Sequence, residues 1–413
     1  MKQTFKKWIK RLALAVLSFW FVIFFWQAPV VYPQQTLERN PQEIRGVWMT
    51  DAASALMYTS TRADEVVANL ANHHLNTLYP AVWDRGYTLY PNSVTKKAGG
   101  KRRDPLFAIP LLPFQDALKG LTHQAHRQHL RLIPWFEYGL IIPASSPIAQ
   151  AHPDWLTTNQ AGELVAKPLT ADARLPKPLQ NLQLELAGGN WAWLNPCHPE
   201  VQQFLTDLIV DVVKRYPVDG IQLDDHFGLP VEFGYDAYTA ALYQQDHGGA
   251  SPPTDPRNGG WMRWRAAHIT QLFEKISTAV KAEDAEAIVS LSPNPPAFSY
   301  REYLQDWPTW VEKGWVDEVI VQVYRDAIDA FNGSLYNDGY AYLNQRVPVG
   351  IGIYTGPFLG ARSLDHITQQ VEAVKAAGYR GVAFFCWETT LWFFKGSPVD
   401  AIRQSFQELF LLQ

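Results

Sequence analysis

The chain has 413 residues, of which 47% are hydrophobic, 13% aromatic and 18% charged. This composition is typical of a folded protein with a large core, in one domain or two, and argues against a disordered chain. The formal net charge of −4 argues against a nucleic-acid-binding protein, which would carry a concentrated basic face. Two cysteines, Cys197 and Cys386, are too few to form a disulfide framework.

The N-terminus combines positive charge with an apolar stretch. Five basic residues precede the apolar run at residues 12–26: Lys2, Lys6, Lys7, Lys10 and Arg11. This order is typical of a secretory signal, and the run could also extend into a membrane span. Residues 1–32 are therefore predicted to be either a signal peptide or an N-terminal anchor in the inner membrane. Either alternative predicts an exported protein of the periplasm or cell envelope.

From residue 43 onward, strand-like and helix-like segments alternate. The predicted strands cover residues 44–50, 77–82, 131–136, 218–223, 287–292, 318–324, 347–353 and 381–387. The predicted helices cover residues 62–73, 114–129, 199–216, 261–283, 300–313, 338–344, 363–377 and 399–412. Eight strands in strict alternation with eight helices predict an α/β fold, a single (β/α)8 TIM barrel over residues 43–413.

The lengths of the connections support a barrel. Helix-to-strand connections are short, whereas strand-to-helix connections are long at residues 83–113, 138–198 and 224–260. A barrel with a plain bottom and an elaborated top face has this asymmetry, and its active site lies at the top. A doubly wound open sheet would also alternate, but no Gly-x-Gly-x-x-Gly follows the first strand. The connection at 138–198 is long enough to predict a lid or small subdomain.

The alternation of side chains along a strand predicts which strand-end residues face the barrel mouth. In the fourth strand, Gln222 and Asp224 share one face, and polar side chains at its upper end fit the mouth. Asp224 is therefore the predicted inward-facing carboxylate, with Asp225 at the rim. By the same alternation, Gln322 and Tyr324 of the sixth strand face inward.

Other strand ends add acidic, amide and aromatic side chains. These candidates are Arg45 and Trp48 on the first strand, Asp84 after the second, Glu137 after the third, His226 after the fourth, Asn294 after the fifth, and Trp387 and Glu388 after the eighth. Acids at four strand ends, with aromatics beside them, predict one shared site. One alternative is that Glu137 or Glu388 pairs with Arg45 across the mouth, and another is that Asp225 only orients a loop.

Carboxylates beside aromatic residues suit the hydrolysis of a glycosidic bond. One acid protonates the leaving oxygen, and a second carboxylate acts as nucleophile or activates water. We predict Asp224 as the nucleophile or base, and Glu388 or Glu137 as the acid. The remaining candidates would orient the sugar: Asp225, Arg45, Trp48, Asp84, His226, Asn294, Gln322, Tyr324 and Trp387.

Several segments resemble the bacterial glycosyl hydrolase-like family ten. They read Glu-Ile-Arg-Gly-Val-Trp at 43–48, His-Pro-Asp-Trp at 152–155, Trp-Leu-Asn-Pro at 193–196, Asp-Gly-Ile-Gln-Leu-Asp-Asp at 219–225 and Gln-Val-Tyr at 322–324. The likeness extends from Glu43 to the C-terminus and implies a TIM barrel. One characterised type of member is an envelope glycosidase that cuts peptidoglycan glycan strands stripped of their stem peptides. The resemblance therefore implies a polysaccharide partner, with peptidoglycan glycan as the leading substrate.

Two other classes of function remain open. One is a non-catalytic carbohydrate-binding barrel of the envelope, and the other is a metal-dependent polysaccharide deacetylase or hydrolase using Asp224, Asp225 and His226. Consecutive residues on an extended strand point to opposite sides, so these three are not expected to share one ion. The zinc signatures and the Gly-x-Ser-x-Gly elbow of serine hydrolases are also absent from the sequence. We therefore predict no metal and no cofactor.

Overall fold

The computed structural model describes residues 2–25, 37–51, 54–58, 62–107, 116–165, 190–357, 360–392 and 395–411. Its centre is a sheet of parallel strands: β1 Ile44–Met49, β2 Thr77–Pro80, β3 Arg131–Leu132 with Trp135–Phe136, β4 Gly220–Asp224, β5 Ile288–Ser292, β6 Glu318–Gln322, β7 Val349–Tyr354 and β8 Gly381–Phe385. The eight predicted strands are all present, within a few residues of their expected bounds. The predicted α/β barrel fold is confirmed.

The third strand closes the sheet into a barrel. Its first half, Arg131–Leu132, pairs with β2, and its second half, Trp135–Phe136, pairs with β4. Pro134 lies between the halves and has no backbone N–H to donate, but its carbonyl accepts a hydrogen bond from the Gln222 N–H at 2.8 Å. The order of strands is therefore circular, which places β3 opposite β7 and β4 opposite β8.

Helices cover the outside of the barrel. After residue 43, the described helices of six or more residues are Ala63–Asn72, Ala117–Arg127, Pro199–Arg215, Ala237–Asp246, Gly259–Glu283, Pro296–Tyr303, Trp307–Glu312, Ile328–Asn337, Leu364–Ala376 and Val399–Leu411. Their apolar residues recur at helical spacing and face the sheet. In Pro199–Arg215, for example, the buried apolar residues are Val201, Phe204, Leu205, Leu208, Ile209, Val212 and Val213.

Two predicted helices differ from the structure. The segment predicted as one helix at 300–313 forms two, because Leu304 adopts a left-handed conformation with φ of 53° and ends the first. The helix predicted at 338–344 is instead the helix Ile328–Asn337 followed by the 3-10 turn Ala341–Gln345, and Gly339, with φ of 77°, separates them. The start of the helix predicted at 114–129 lies partly outside the described residues.

The inside of the barrel contains a polar network within an apolar layer. Arg131 donates a hydrogen bond to Glu318 at 2.9 Å, and both side chains are buried. Ser290 connects Glu318 to Gln222 through hydrogen bonds of 3.0 and 2.9 Å. Gln222 in turn accepts a hydrogen bond from the Trp48 indole at 2.7 Å. Each of these side chains therefore has at least one hydrogen-bond partner, which removes much of the cost of placing it inside the barrel.

The strand-to-helix connections at the top carry extra structure. After β2, the short strands Trp83–Asp84 and Tyr87–Thr88 form a hairpin. After β3, Ile141–Pro143 pairs antiparallel with Trp191–Trp193. The predicted lid or subdomain at 138–198 thus includes a long hairpin, whose two strands are joined by residues 144–190. Of this connection, residues 166–189 lie outside the described residues.

The N-terminal segment forms the helix Lys2–Phe25. Across the part of the chain that the structure describes, no helix combines the length and apolar character needed to cross a membrane. Residues 26–36, which include the end of the predicted signal or anchor, lie outside the described residues.

Candidate active site

Asp224 ends β4 and points into the barrel mouth, as the alternation of side chains predicts. Its side chain is buried, with Oδ2 accepting a hydrogen bond from the Trp135 indole at 2.9 Å and Oδ1 accepting one from the His226 N–H at 3.0 Å. Burial raises the pKa of this carboxyl well above its ordinary value, and the negative charge of Asp225 raises it further. The two hydrogen bonds oppose that shift. Asp224 is thus a rigidly held carboxyl with a strongly perturbed pKa.

Asp225 connects the ends of three strands. Its Oδ2 accepts a hydrogen bond from the Asn294 amide at 2.9 Å, and its Oδ1 accepts one from the Gln322 amide at 3.0 Å. Gln322 also donates to the backbone carbonyl of Ser292 at 2.7 Å. The structure therefore brings the predicted residues Asn294 and Gln322 to the site, where both hold the carboxylate next to Asp224.

Glu137 follows β3 and is partly exposed at the mouth. Burial raises the pKa of its carboxyl well above the ordinary value, and the charges of Asp84, Asp224 and Glu388 raise it further. The positive charge of Arg85 opposes them. Because Coulomb interactions weaken with distance, these contributions indicate that the acids predicted at four strand ends lie near one another at this end of the barrel.

Glu388 differs from Glu137 because its carboxyl is fully buried. It lies on the short helix Trp387–Thr390 and is 0% exposed. Its Oε1 accepts hydrogen bonds from the Thr50 N–H at 3.1 Å, from the Thr50 hydroxyl at 2.7 Å and from the Ser54 hydroxyl. Burial raises its pKa. Of the two acids predicted as proton donor, Glu137 is the one that keeps exposed surface at the mouth.

A buried cluster around Arg85 was not predicted from the sequence. Its guanidinium donates to Asp84 at 2.8 Å, to Asp104 at 2.6 Å and to Asp51 at 3.1 Å. Burial would lower the pKa of Arg85, but the three carboxylates outweigh it and raise the pKa. Burial and the charge of Asp84 also raise the pKa of Asp51. One cation therefore holds three acidic segments together, and the predicted residue Asp84 contributes through it.

Arg45 is not at the site, which corrects its predicted role in orienting the sugar. It lies near the start of β1, at the bottom of the barrel. Its backbone N–H bonds the Asn76 side chain at 2.9 Å, and its guanidinium lies 5.8 Å from the centre of the Phe410 ring. The alternative ion pair between Arg45 and Glu137 or Glu388 is wrong for the same reason, since the strand separates the two ends.

Two predicted sugar-binding tryptophans are buried instead. Trp387 is 1% exposed and stacks on Trp392 with ring centroids 4.9 Å apart, in the core outside the barrel. Trp48 is also 1% exposed and lies inside the barrel, 6.4 Å from Trp135. Neither ring has a free face for a sugar, and Trp48 instead supports the tryptophan that bonds Asp224.

Other rings surround the mouth. Among the predicted residues, Tyr324 is partly exposed, and burial followed by the charges of Asp225 and Asp224 raises the pKa of its phenol. Four further rings near the mouth were not predicted from the sequence: Tyr138, Trp191, Tyr354 and Phe385. Three of them could have been found from their places at or just after the ends of β3, β7 and β8, whereas Trp191 lies on the inserted hairpin.

The side chains of Asp224, Asp225 and His226 approach one another more closely than expected. One ligand atom from each lies within 4.8 Å of the others, because the chain turns directly after Asp224. The expectation that they diverge is therefore wrong. The carboxylate oxygens of both aspartates already accept hydrogen bonds, however, and His226 Nδ1 lies 2.8 Å from the Glu137 carbonyl. In this structure, Asp224, Asp225 and His226 therefore take part in hydrogen bonds with neighbouring groups.

A closed parallel barrel that gathers carboxyl groups and partly exposed rings at its upper mouth is the architecture of the TIM-barrel glycoside hydrolases. Residues 43–372 match the profile of the family described as Glycosyl hydrolase-like 10. The chain belongs to that family, which confirms the resemblance seen in the sequence motifs.

Two relatives and one solved structure are similar to this chain. Glycosyl hydrolase DigH of Escherichia coli O6:H1 is 23% identical over 346 residues, which cover 71% of this chain and 68% of that protein. Glycosyl hydrolase YngK of Bacillus subtilis is 22% identical over 249 residues, 54% of this chain and 41% of that protein. The PgaB (BpsB) glycoside hydrolase domain of Bordetella bronchiseptica superposes with a TM-score of 0.58 at 13% identity, covering 89% of this chain and 99% of that one. The last likeness shows the fold alone.

Proposed function

We propose that this chain is a glycoside hydrolase of the cell envelope that cleaves a polysaccharide, with peptidoglycan glycan strands as its substrate. The observation that carries the proposal is the meeting of buried Asp224 and partly exposed Glu137 at one barrel mouth. Two carboxyl groups in different environments are what glycoside hydrolysis requires.

The two carboxyl groups take different roles because their surroundings differ. An ionised Asp224 acts as nucleophile or as base for water, and the Trp135 indole and the His226 N–H keep its oxygens in place. Its negative charge helps to raise the pKa of Glu137, which therefore keeps its proton and donates it to the leaving oxygen. Asp225, held by two amides, adds negative charge next to Asp224 and so favours the positive charge that develops on the sugar.

The substrate and the location rest on the sequence. The motifs shared with family ten imply an envelope glycosidase acting on peptide-stripped glycan, and the basic and apolar residues 1–32 fit export as a signal or anchor. Both inferences agree, since peptidoglycan lies outside the cytoplasmic membrane.

Incubation of the full chain with intact and with peptide-stripped sacculi tests the proposal. We expect soluble sugar fragments and new reducing ends from the stripped sacculi, detected by mass analysis, and none with the Asp224→Asn variant. Retention on the glycan without release of reducing ends would instead identify a non-catalytic binding protein.

A metal-dependent deacetylase or hydrolase is the second candidate function. The closeness of ligand atoms from Asp224, Asp225 and His226, within 4.8 Å, favours it. This candidate predicts loss of activity with a chelator, recovery with zinc, and for a deacetylase the release of acetate in place of reducing ends. Activity that is unchanged by the chelator would reject it.

A further inference from the structure

Two groups of aromatic side chains flank the carboxyl groups of the mouth. The hairpin wall consists of Tyr138, Trp191 and His226, and the β6–β8 wall consists of Tyr324, Tyr354 and Phe385. Of these, only Tyr138 is buried, and the other five are partly exposed. Each group therefore presents ring surface from which a bound molecule could exclude water.

The hairpin wall contacts the segments that contain Glu137 and Asp224. Trp191 lies 5.8 Å from Tyr138 and 5.6 Å from His226 between ring centroids. His226 Nδ1 is 2.8 Å from the Glu137 carbonyl oxygen, and the hairpin pairs Trp191 with Pro143. The wall is thus fixed next to both Glu137 and Asp224.

The β6–β8 wall is built on the strands across the barrel. Its ring centroids are 5.5 Å apart for Tyr324 and Tyr354, and 5.9 Å apart for Tyr324 and Phe385. Phe385 also packs edge-on against Trp135 at 6.1 Å, the residue whose indole bonds Asp224. The β6–β8 wall is therefore in contact with Trp135, the residue that holds the Asp224 carboxylate.

The circular order of strands separates the two walls. The hairpin wall follows β3 and β4, which lie opposite β7 and β8. Asp224 lies between them, because one of its oxygens bonds the backbone of His226 and the other bonds Trp135, against which Phe385 packs. A polysaccharide chain that lies across the mouth would contact rings on both sides of the Asp224 carboxylate.

We propose that the two walls are sugar-binding subsites on opposite sides of the bond that is cut, so that cleavage occurs within a polysaccharide strand. This inference rests on the proposed function. Rings stack on the apolar faces of sugars, and rings on both sides of the carboxylate bind sugar units on both sides of the broken bond. An enzyme that releases terminal units holds only the terminal unit on one side of the bond, whereas each wall here contains several rings.

The test follows the length of products from peptide-stripped glycan strands labelled at their reducing ends. With the full wild-type chain, the mean strand length should fall before any mono- or disaccharide accumulates. Trp191→Ala and Tyr354→Ala should each lower kcat/KM on long strands by about tenfold, which corresponds to about 1.4 kcal/mol. The two variants should also change the distribution of product lengths in different directions.

Matched controls exist outside the walls. Trp264 is partly exposed on the helix Gly259–Glu283 and donates to Asp246 at 2.9 Å, and Tyr342 is 48% exposed. Trp264→Ala and Tyr342→Ala should leave rate and products unchanged, and thermal melts of all four variants establish that they fold. Release of terminal sugars as the only early product would overturn this inference and leave the proposed function standing. Wall variants with the same rate and products as the control variants would have the same consequence. A wild-type chain that does not shorten the strands overturns both proposals.

Discussion

At the residue scale, the proposed hydrolysis depends on Asp224, a buried carboxyl with two defined hydrogen-bond donors. We expect Asp224→Asn to lower hydrolysis by at least about 100-fold, while the melting temperature changes little. Asparagine has the same shape, and removal of a buried charge offsets the loss of the one hydrogen bond that its amide nitrogen cannot accept. Rate assays on stripped sacculi and thermal melts measure the two effects.

Asp219 provides the matched control for that variant. It is also buried, but at the bottom of the barrel, where it accepts hydrogen bonds from the Leu132 N–H at 2.7 Å and from His126 at 2.9 Å. Asp219→Asn should lower the melting temperature and leave the activity of the folded fraction intact. Hydrolysis at the wild-type rate by Asp224→Asn would contradict the assignment.

The pH dependence separates Glu137 from Glu388. The proposed mechanism needs Asp224 ionised and Glu137 protonated, and burial raises the pKa of both carboxyl groups. Activity should therefore rise as the pH passes the raised pKa of Asp224 and fall as it passes that of Glu137, with both limbs above the ordinary carboxyl range. Glu137→Gln should lower kcat/KM and remove the fall at high pH. If Glu388→Gln removes the fall of activity at high pH and Glu137→Gln keeps it, the role of the acid would belong to Glu388.

At the scale of elements, Arg85 connects the ends of β1 and β2 to the loop that contains Asp104. Arg85→Met leaves three buried carboxylates without their cation, and we expect a loss of about 3–5 kcal/mol in the free energy of unfolding. The loss should shrink as the pH falls, because protonation removes the unpaired charges. Urea unfolding at several pH values measures it.

Arg215 is the control for Arg85. It pairs with Asp211 at 2.8 Å within one helix, and its side chain is 36% exposed. Arg215→Met should cost only about 0–1 kcal/mol, because solvent screens the pair. Equal losses in the two variants, or a loss in Arg85→Met that does not depend on pH, would reject the view that charge pairing holds these segments together.

At the scale of the whole molecule, we predict separate roles for the N-terminal segment and the barrel. Basic residues before an apolar run predict that the chain is exported, with residues 1–32 either removed or retained as an anchor. Cell fractionation with mass measurement of the mature chain distinguishes these outcomes. An intact chain that still begins at Met1 and stays in the cytoplasmic fraction would reject the export proposal.

The barrel itself follows from local patterns that the sequence displays. Runs of apolar residues alternating with amphipathic helices predict eight strands, because backbone geometry fixes the period of side chains in each element. The same alternation places Gln222 and Asp224 inside, where the structure has them. Asn294, Gln322 and Tyr324 also reach the mouth as predicted, since each lies at or just after a strand end.

What the sequence determined is therefore the set of elements and the strand ends at which acidic groups gather. The tertiary structure alone decided that Glu388 is sealed beneath Thr50, that Trp387 packs into the outer core, and that Arg85 joins three segments. The spacing of apolar residues along a helix or strand predicts only the direction in which a side chain points from that element. Which neighbours cover it depends on loops that meet after the barrel has closed, and their contacts leave no period in the sequence.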